Sequence, residues 1–170
     1  MMARLTSTVP PSVIRSAEGE LDDLLNDLEA LLQPGTQHPE YAASCTRPAI
    51  LRRLAARVAE QIPAETDRIV APLADSLLAS AVSLHSGVPI SLVDAASSTV
   101  IGDLYRGERI MLVAYQFDDE ADQLSVWLTI RDQAPAGAVA VFGGSGAAPE
   151  PGRTILLAEL PSGTRDDGPR

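Results

Sequence analysis

Apolar residues recur at helical spacing from Glu20 onward: Leu21, Leu24, Leu25, Leu28, Leu31 and Leu32 share one face, and Asp22, Asp23, Asp27 and Glu29 hold the other. This pattern predicts an amphipathic helix that Pro34-Gly35 stops, its leucine stripe serving as core or subunit interface. Residues 49–62 repeat the pattern, with Ile50, Leu51, Leu54, Val58 and Ile62 set against Arg52, Arg53, Arg57 and Glu60. Between the two, residues 33–48 are punctuated by Pro34, Gly35, Pro39 and Pro48 and predict a loop or short hairpin. The period then shortens. Residues 67–73, DRIVAPL, predict a buried strand that ends at a proline; Asp75 and Ser76 open a helix over 77–86, Gly87 caps it, and residues 88–93 form a second strand. Strand, helix and strand in so short a span make a βαβ unit and hence a parallel pair.

Residues 94–103, DAASSTVIGD, are small and predict a mobile loop or a ribbon at the edge of the sheet. A further strand over 110–113 breaks into the acidic run Asp118-Asp119-Glu120-Ala121-Asp122, followed by a helix carrying Leu124, Trp127, Leu128 and Arg131 that ends near residues 135–137. Apolar strands over 138–142 and 154–160 complete the pattern, the first closed by glycines at 143, 144 and 146. Four to five strands with interleaved helices predict a doubly wound, mostly parallel α/β sheet preceded by N-terminal helices. Residues 20–160 form one domain in this reading. Residues 1–19 have no sustained period and are expected to be a flexible leader, and residues 161–170, rich in Gly, Pro and charge, a disordered tail.

Composition narrows the chemistry. The chain has 170 residues and a formal net charge of −10, and every one of its basic residues is arginine. Without lysine there is no Schiff-base chemistry and no phosphate-binding P-loop lysine. The negative charge opposes binding to a nucleic-acid backbone. No apolar run approaches the roughly 20 residues needed to cross a bilayer, and with a single cysteine and no apolar secretory segment the expected location is the cytoplasm. His38 and Cys45 share a loop, but a structural metal site normally takes four such ligands.

The strongest candidate for chemistry is residues 110–124, IMLVAYQFDDEADQL, because open α/β sheets bind ligands beyond the carboxyl ends of their strands. Asp118, Asp119 and Asp122 there spell DDxxD, and clustered carboxylates suit Mg²⁺ or Ca²⁺; these three are the candidate metal ligands. The same acids also read as a solvated turn with Asp122 capping the following helix. A third reading is recognition of a cationic ligand or a partner's arginines by an acidic rim that includes Asp75, Asp94 and Tyr115. The candidate cleft is therefore Asp75, Ser76, Asp94, Tyr115, Asp118, Asp119 and Asp122.

The order and content of these segments resemble a type I phosphoribosyltransferase, and orotate phosphoribosyltransferase in particular, over about residues 21–145. PGTQHPEY at 34–41 is similar to the segment after the family's first helix, and residues 67–93 to its first strand, pyrophosphate loop, helix and second strand. Residues 94–107 fall on its flexible catalytic loop and residues 110–124 on its phosphoribosyl-pyrophosphate motif. The resemblance implies the fold, and members of the family are commonly dimers. The functional residues depart from it. Ala114 and Tyr115 stand on the paired acids that bind the ribose hydroxyls, and Asp118 to Asp122 stand on the loop whose amides cradle the 5-phosphate. A phosphate within ~4 Å of a carboxylate meets repulsion of about 1 kcal/mol per pair even in water. Ala71-Pro72-Leu73-Ala74-Asp75-Ser76 replaces a glycine-rich pyrophosphate loop, and Asp94-Ala95 replaces an Arg-Lys pair, so cations to stabilise departing pyrophosphate are missing.

The expectation is a degenerate phosphoribosyltransferase-fold protein without ordinary transfer, acting as a binding, regulatory or assembly subunit and forming a homodimer. Its ligand would be a protein partner or a small cationic or nucleotide-like molecule. Two alternatives stay open: an enzyme with re-invented acid–base or divalent-metal chemistry in the same cleft, and an active orotate phosphoribosyltransferase-like transferase.

Overall fold

Strand β4 (Ile110–Gln116) divides the core in two. Met111, Val113 and Tyr115 point into one apolar layer and Ile110, Leu112 and Ala114 into the other, as period-two alternation of a strand buried on both faces requires. The computed structural model describes residues 17–144, 152–157 and 160. Its remaining strands are β1 (Arg68–Pro72), β2 (Ile90–Asp94), β3 (Thr99–Ile101), β5 (Gly137–Phe142) and β6 (Arg153–Leu157). The sheet order is β3-β2-β1-β4-β5-β6, parallel except for β3, so six strands replace the four to five expected. The predicted βαβ unit is present, with Ile69 of β1 registered on Ile90 of β2. The predicted ribbon is β3, which pairs antiparallel with β2 at Val93 and Val100 and whose three residues are all exposed.

Helices α1 (Ala17–Glu29), α2 (Tyr41–Cys45), α3 (Pro48–Ala59), α4 (Ser76–Ser86) and α5 (Asp119–Ile130) pack around the sheet. The first four supply one apolar layer, through Leu24, Leu28, Cys45, Ile50, Leu54, Val58, Leu78 and Val82. The leucine stripe of α1 is thus internal core. Among the described residues α5 is the one helix on the opposite face, through Ala121, Leu124 and Leu128. Gly87 ends α4 with φ +73, the left-handed C-cap that its position predicts.

Several boundaries differ from expectation for local reasons. Residues 33–48 contain the short helix α2 rather than only a loop. Strand β4 continues three residues past Val113, because Ala114 and Tyr115 each find a buried apolar layer. Helix α5 starts at Asp119, well before Leu124, because Asp118 rather than Asp122 caps it. Helix α1 reaches back to Ala17, inside the expected leader; the rest of that leader, residues 1–16, the tail 161–170 and the glycine at 146 lie outside the described residues. No helix among the described residues is long and apolar enough to cross a membrane.

Candidate functional site

Beyond the carboxyl ends of β1 and β4 the chain folds its own polar groups over the backbone donors of two helices. The hydroxyl of Tyr41, on α2, accepts from the Leu77 and Leu78 amides in the first turn of α4 at 2.9 and 3.2 Å. These orphan amides are where a helix start otherwise meets an anion. Asp75, the residue before α4, does not cap that helix. Its carboxylate instead accepts the Tyr115 amide at 2.7 Å, tying the β1–α4 turn to β4. Burial pushes the Asp75 carboxyl up to about 6, and the nearby negative charges of Asp118 and Glu120 add to the shift.

Tyr115 joins this turn to α2. Its hydroxyl donates to the Pro39 carbonyl at 2.9 Å and lies 2.9 Å from Ser44 Oγ. The ring packs edge-on against Tyr41 and Phe142, each centroid 5.2 Å away, and His38 stacks on Phe142. Burial raises the Tyr115 phenol above its ordinary range and lifts Tyr41 and Cys45 to about 12 each. Cys45 is therefore a protonated core thiol rather than a nucleophile. No buried side-chain nitrogen or oxygen among the described residues lacks a partner, so the network closes on itself.

The second helix start is occupied too. Asp118 is extended at φ −122, and its carboxylate accepts from the Glu120 and Ala121 amides at 3.0 and 3.1 Å, an N-cap on the positive end of α5. Asp122 instead pairs with Arg153 at 2.8 Å. An open groove of about 510 Å³ runs past Asp118, Asp119, Glu120 and Asp122 to Gly144. Gly144 passes so close to the β4–α5 turn that a Cβ there would lie 1.9 Å from the Phe117 carbonyl oxygen.

The predicted residues do not form one cluster. Asp75 and Tyr115 are hydrogen-bonded to each other. Asp118 and Asp94 both lie within electrostatic reach of Glu120: burial, then Asp118 and Asp94, raise the Glu120 carboxyl. Asp94 itself is held below the usual range by the Ser97 hydroxyl and amides that its carboxylate accepts in a tight turn. Asp119 and Asp122 line the groove beside Asp118 and Glu120 and also a second one with Ala95 on the outer side of α5. Ser76 is the first residue of α4, with no role in the network. Among the described residues no group of three or more His, Cys, Asp or Glu side chains is placed to hold a metal ion, and two of the three proposed ligands are engaged as cap and ion pair. His38 and Cys45 go separate ways, one onto Phe142 and one into the core. Sequence reasoning left Tyr41, Ser44 and Glu120 without roles. For Tyr41 the missing information was its meeting with Leu77, 36 residues along the chain.

No family model and no curated protein sequence matches the chain. Its structure is similar to solved phosphoribosyltransferases. The orotate phosphoribosyltransferase of Mycobacterium tuberculosis H37Rv, in complex with 5-phospho-alpha-D-ribosyl 1-diphosphate (PRPP), superposes with a TM-score of 0.55 at 14% identity, covering 73% of this chain and 83% of that one. A phosphoribosyltransferase from Corynebacterium diphtheriae gives 0.59 at 10% identity, with 74% and 84% covered. Leishmania donovani UMP synthase gives 0.55 at 20% identity over 71% of this chain, which spans 31% of that protein's length. These likenesses show the type I phosphoribosyltransferase fold.

Proposed function

We propose that this chain, which has the type I phosphoribosyltransferase fold, does not carry out ordinary PRPP-dependent transfer and serves in the cytoplasm as a binding, regulatory or assembly subunit. One observation carries the proposal: the amides that open α4 and α5 are satisfied by the chain's own Tyr41 hydroxyl and Asp118 carboxylate. A phosphate entering either position must displace a formed hydrogen-bonded pair and, at α5, a carboxylate of its own sign. Each displaced bond is worth about 0.5–1.5 kcal/mol at the neutral Tyr41 hydroxyl and about 1.5–3 kcal/mol at the Asp118 carboxylate, where the Coulomb term adds to it. Ala114 and Tyr115 in place of paired acids, and the absence of lysine, work in the same direction. Incubation with PRPP and orotate or adenine, followed by assay of released pyrophosphate, should give no rate above the protein-free control, and calorimetry with PRPP should give no saturable heat. Phosphoribosyl transfer abolished by changing Asp118 and Asp119 would end the proposal.

A second reading, acid–base chemistry re-invented in the same cleft, has one observation in its favour. Asp75 titrates at about 6, near the range useful to a general acid or base at neutral pH. Against it, the carboxylate already holds the Tyr115 amide. A thermal-shift screen with nucleoside monophosphates, polyamines and divalent metals separates the readings. A ligand whose stabilisation disappears in Asp75→Asn supports the second, and indifference of that variant removes it.

A further inference from the structure

Residues 33–47 run as a strap across the carboxyl ends of three neighbouring strands. His38 stacks on Phe142 at the end of β5, Tyr115 near the end of β4 reaches the Pro39 carbonyl and Ser44, and Tyr41 covers the start of α4 after β1. Side chains rather than a backbone ladder hold the strap in place. Among the described residues its backbone–backbone hydrogen bonds stay within the strap or run on to Leu51 of α3, and none reaches the sheet. Its buried residues are Pro39, Ser44 and Cys45, and both of its ends are exposed, at residues 33–37 and 46–49. Near the first end Gly35 stands at φ +85, with nothing within 4 Å of where a Cβ would be. A segment tied down in this way opens at a lower free energy than the strands beneath it.

The contacts form a closed circuit. Asp75, just before α4, holds the Tyr115 amide; the Tyr115 hydroxyl holds the strap; and Tyr41 of the strap returns to the first turn of α4. Asp75 is the link of this circuit that titrates between acid and neutral pH, since burial lifts both phenols well above that range. Facing it are the Asp118 and Glu120 carboxylates on the α5 side, which repel its ionised form. On the strap side stand the Tyr41 phenol and the Cys45 thiol, both uncharged, and from β4 the Tyr115 phenol. No ion pair among the described residues includes Asp75. A buried carboxylate without a cation ionises at lower cost where water reaches it, and lifting the strap removes the side chains that shield it.

We propose that residues 33–47 are a proton-gated closure over the carboxyl ends of β1, β4 and β5, latched while Asp75 carries its proton and opening more readily once Asp75 is ionised. The gate controls access to the site of the binding role proposed above, and the two fail separately. Transfer activity would end that reading and leave the gate standing, whereas a strap that opens only with the whole fold ends the gate alone.

Native-state amide hydrogen exchange of the full chain, corrected for intrinsic rates, is the test. Ser44 and Thr46 of the strap and Leu77 and Leu78 of α4 report its opening through their hydrogen-bonded amides, and β1 reports global unfolding. Because global unfolding also releases the Asp75 proton, low concentrations of denaturant separate the two events. The four reporters should exchange faster than β1 and without dependence on denaturant. Their opening should rise up to about a hundredfold from pH 4 to pH 7, the factor implied by a carboxyl held at about 6 against an ordinary 3.8. In Asp75→Asn that rise should vanish. In Tyr115→Phe, which loses both hydroxyl contacts, opening should be about tenfold greater at every pH. Reporters that follow β1 in rate and denaturant dependence overturn the proposal. So does a pH-dependent rise that persists in Asp75→Asn, or a strap no looser in Tyr115→Phe than in the wild type.

Discussion

At the scale of single residues, Asp75 shows how one carboxylate can be a structural bracket and a titrating group at once. It accepts the Tyr115 amide, and burial holds its carboxyl at about 6 against an ordinary 3.8. The raised value means that between these two limits the folded chain binds a proton that the unfolded chain has released. Stability therefore falls as pH rises through the window from about 4 to about 6, and is level with respect to this group outside it. The loss attributable to Asp75 is of order 1–3 kcal/mol. Asp75→Asn keeps an acceptor for the Tyr115 amide and removes the titration, so thermal melts across pH 3.5 to 7 should show the variant gaining on the wild type as pH rises. Parallel curves would mean that Asp75 is as free to ionise in the fold as in water. Tyr115 itself was legible as a candidate residue of the cleft beyond the strand end, without its partners. Its hydrogen bonds to Pro39 and Ser44, 76 and 71 residues away, depend on packing that no local pattern encodes.

At the scale of elements, the acidic turn belongs to α5. Asp118 satisfies two of the amides that open the helix, so Asp118→Ala should cost about 1 kcal/mol while Asp118→Asn, which keeps the acceptor, costs a few tenths. Chemical denaturation at neutral pH measures both, and Asp122→Ala should show no loss of cap energy. The sequence placed acids at a helix start and pointed to Asp122 as the cap, because the apolar helical period is visible only from Leu124, whereas the helix begins at Asp119 and Asp118 caps it. The crossing of the β5 end over the β4–α5 turn is the other constraint at this scale. Gly144→Ala sets a methyl against the Phe117 carbonyl, and a rigid backbone contact of this kind should cost about 1–3 kcal/mol, read as a melting temperature lower by several degrees. An unchanged melting temperature would show that the two segments separate without penalty.

At the scale of the whole molecule, the sheet is covered unequally. β1 and β4 lie at its centre with every residue of β1 buried, whereas β3 is a three-residue edge strand that is exposed throughout. Amide hydrogen exchange should therefore be slowest in β1 and β4, reporting global unfolding, and fastest in β3, with α5 less protected than α3 and α4 because no other helix among the described residues packs on its face.

The sequence by itself determined the fold class, because burying a strand on two faces or a helix on one leaves periods that survive in a single chain: the leucines of α1 and α3, the βαβ unit, the glycine that ends α4 and the apolar run of β4. It also determined what the chain lacks, lysine and a glycine-rich phosphate loop, since absence of a residue type needs no coordinates. Tertiary structure alone decided where the polar groups go. The unions of Tyr41 with the α4 amides, of Asp75 with Tyr115 and of Asp122 with Arg153 all depend on distances between segments far apart along the chain. So does the exposure of Val126 and Ile130, because an apolar residue on a helix is core or surface only according to what the rest of the molecule brings against it.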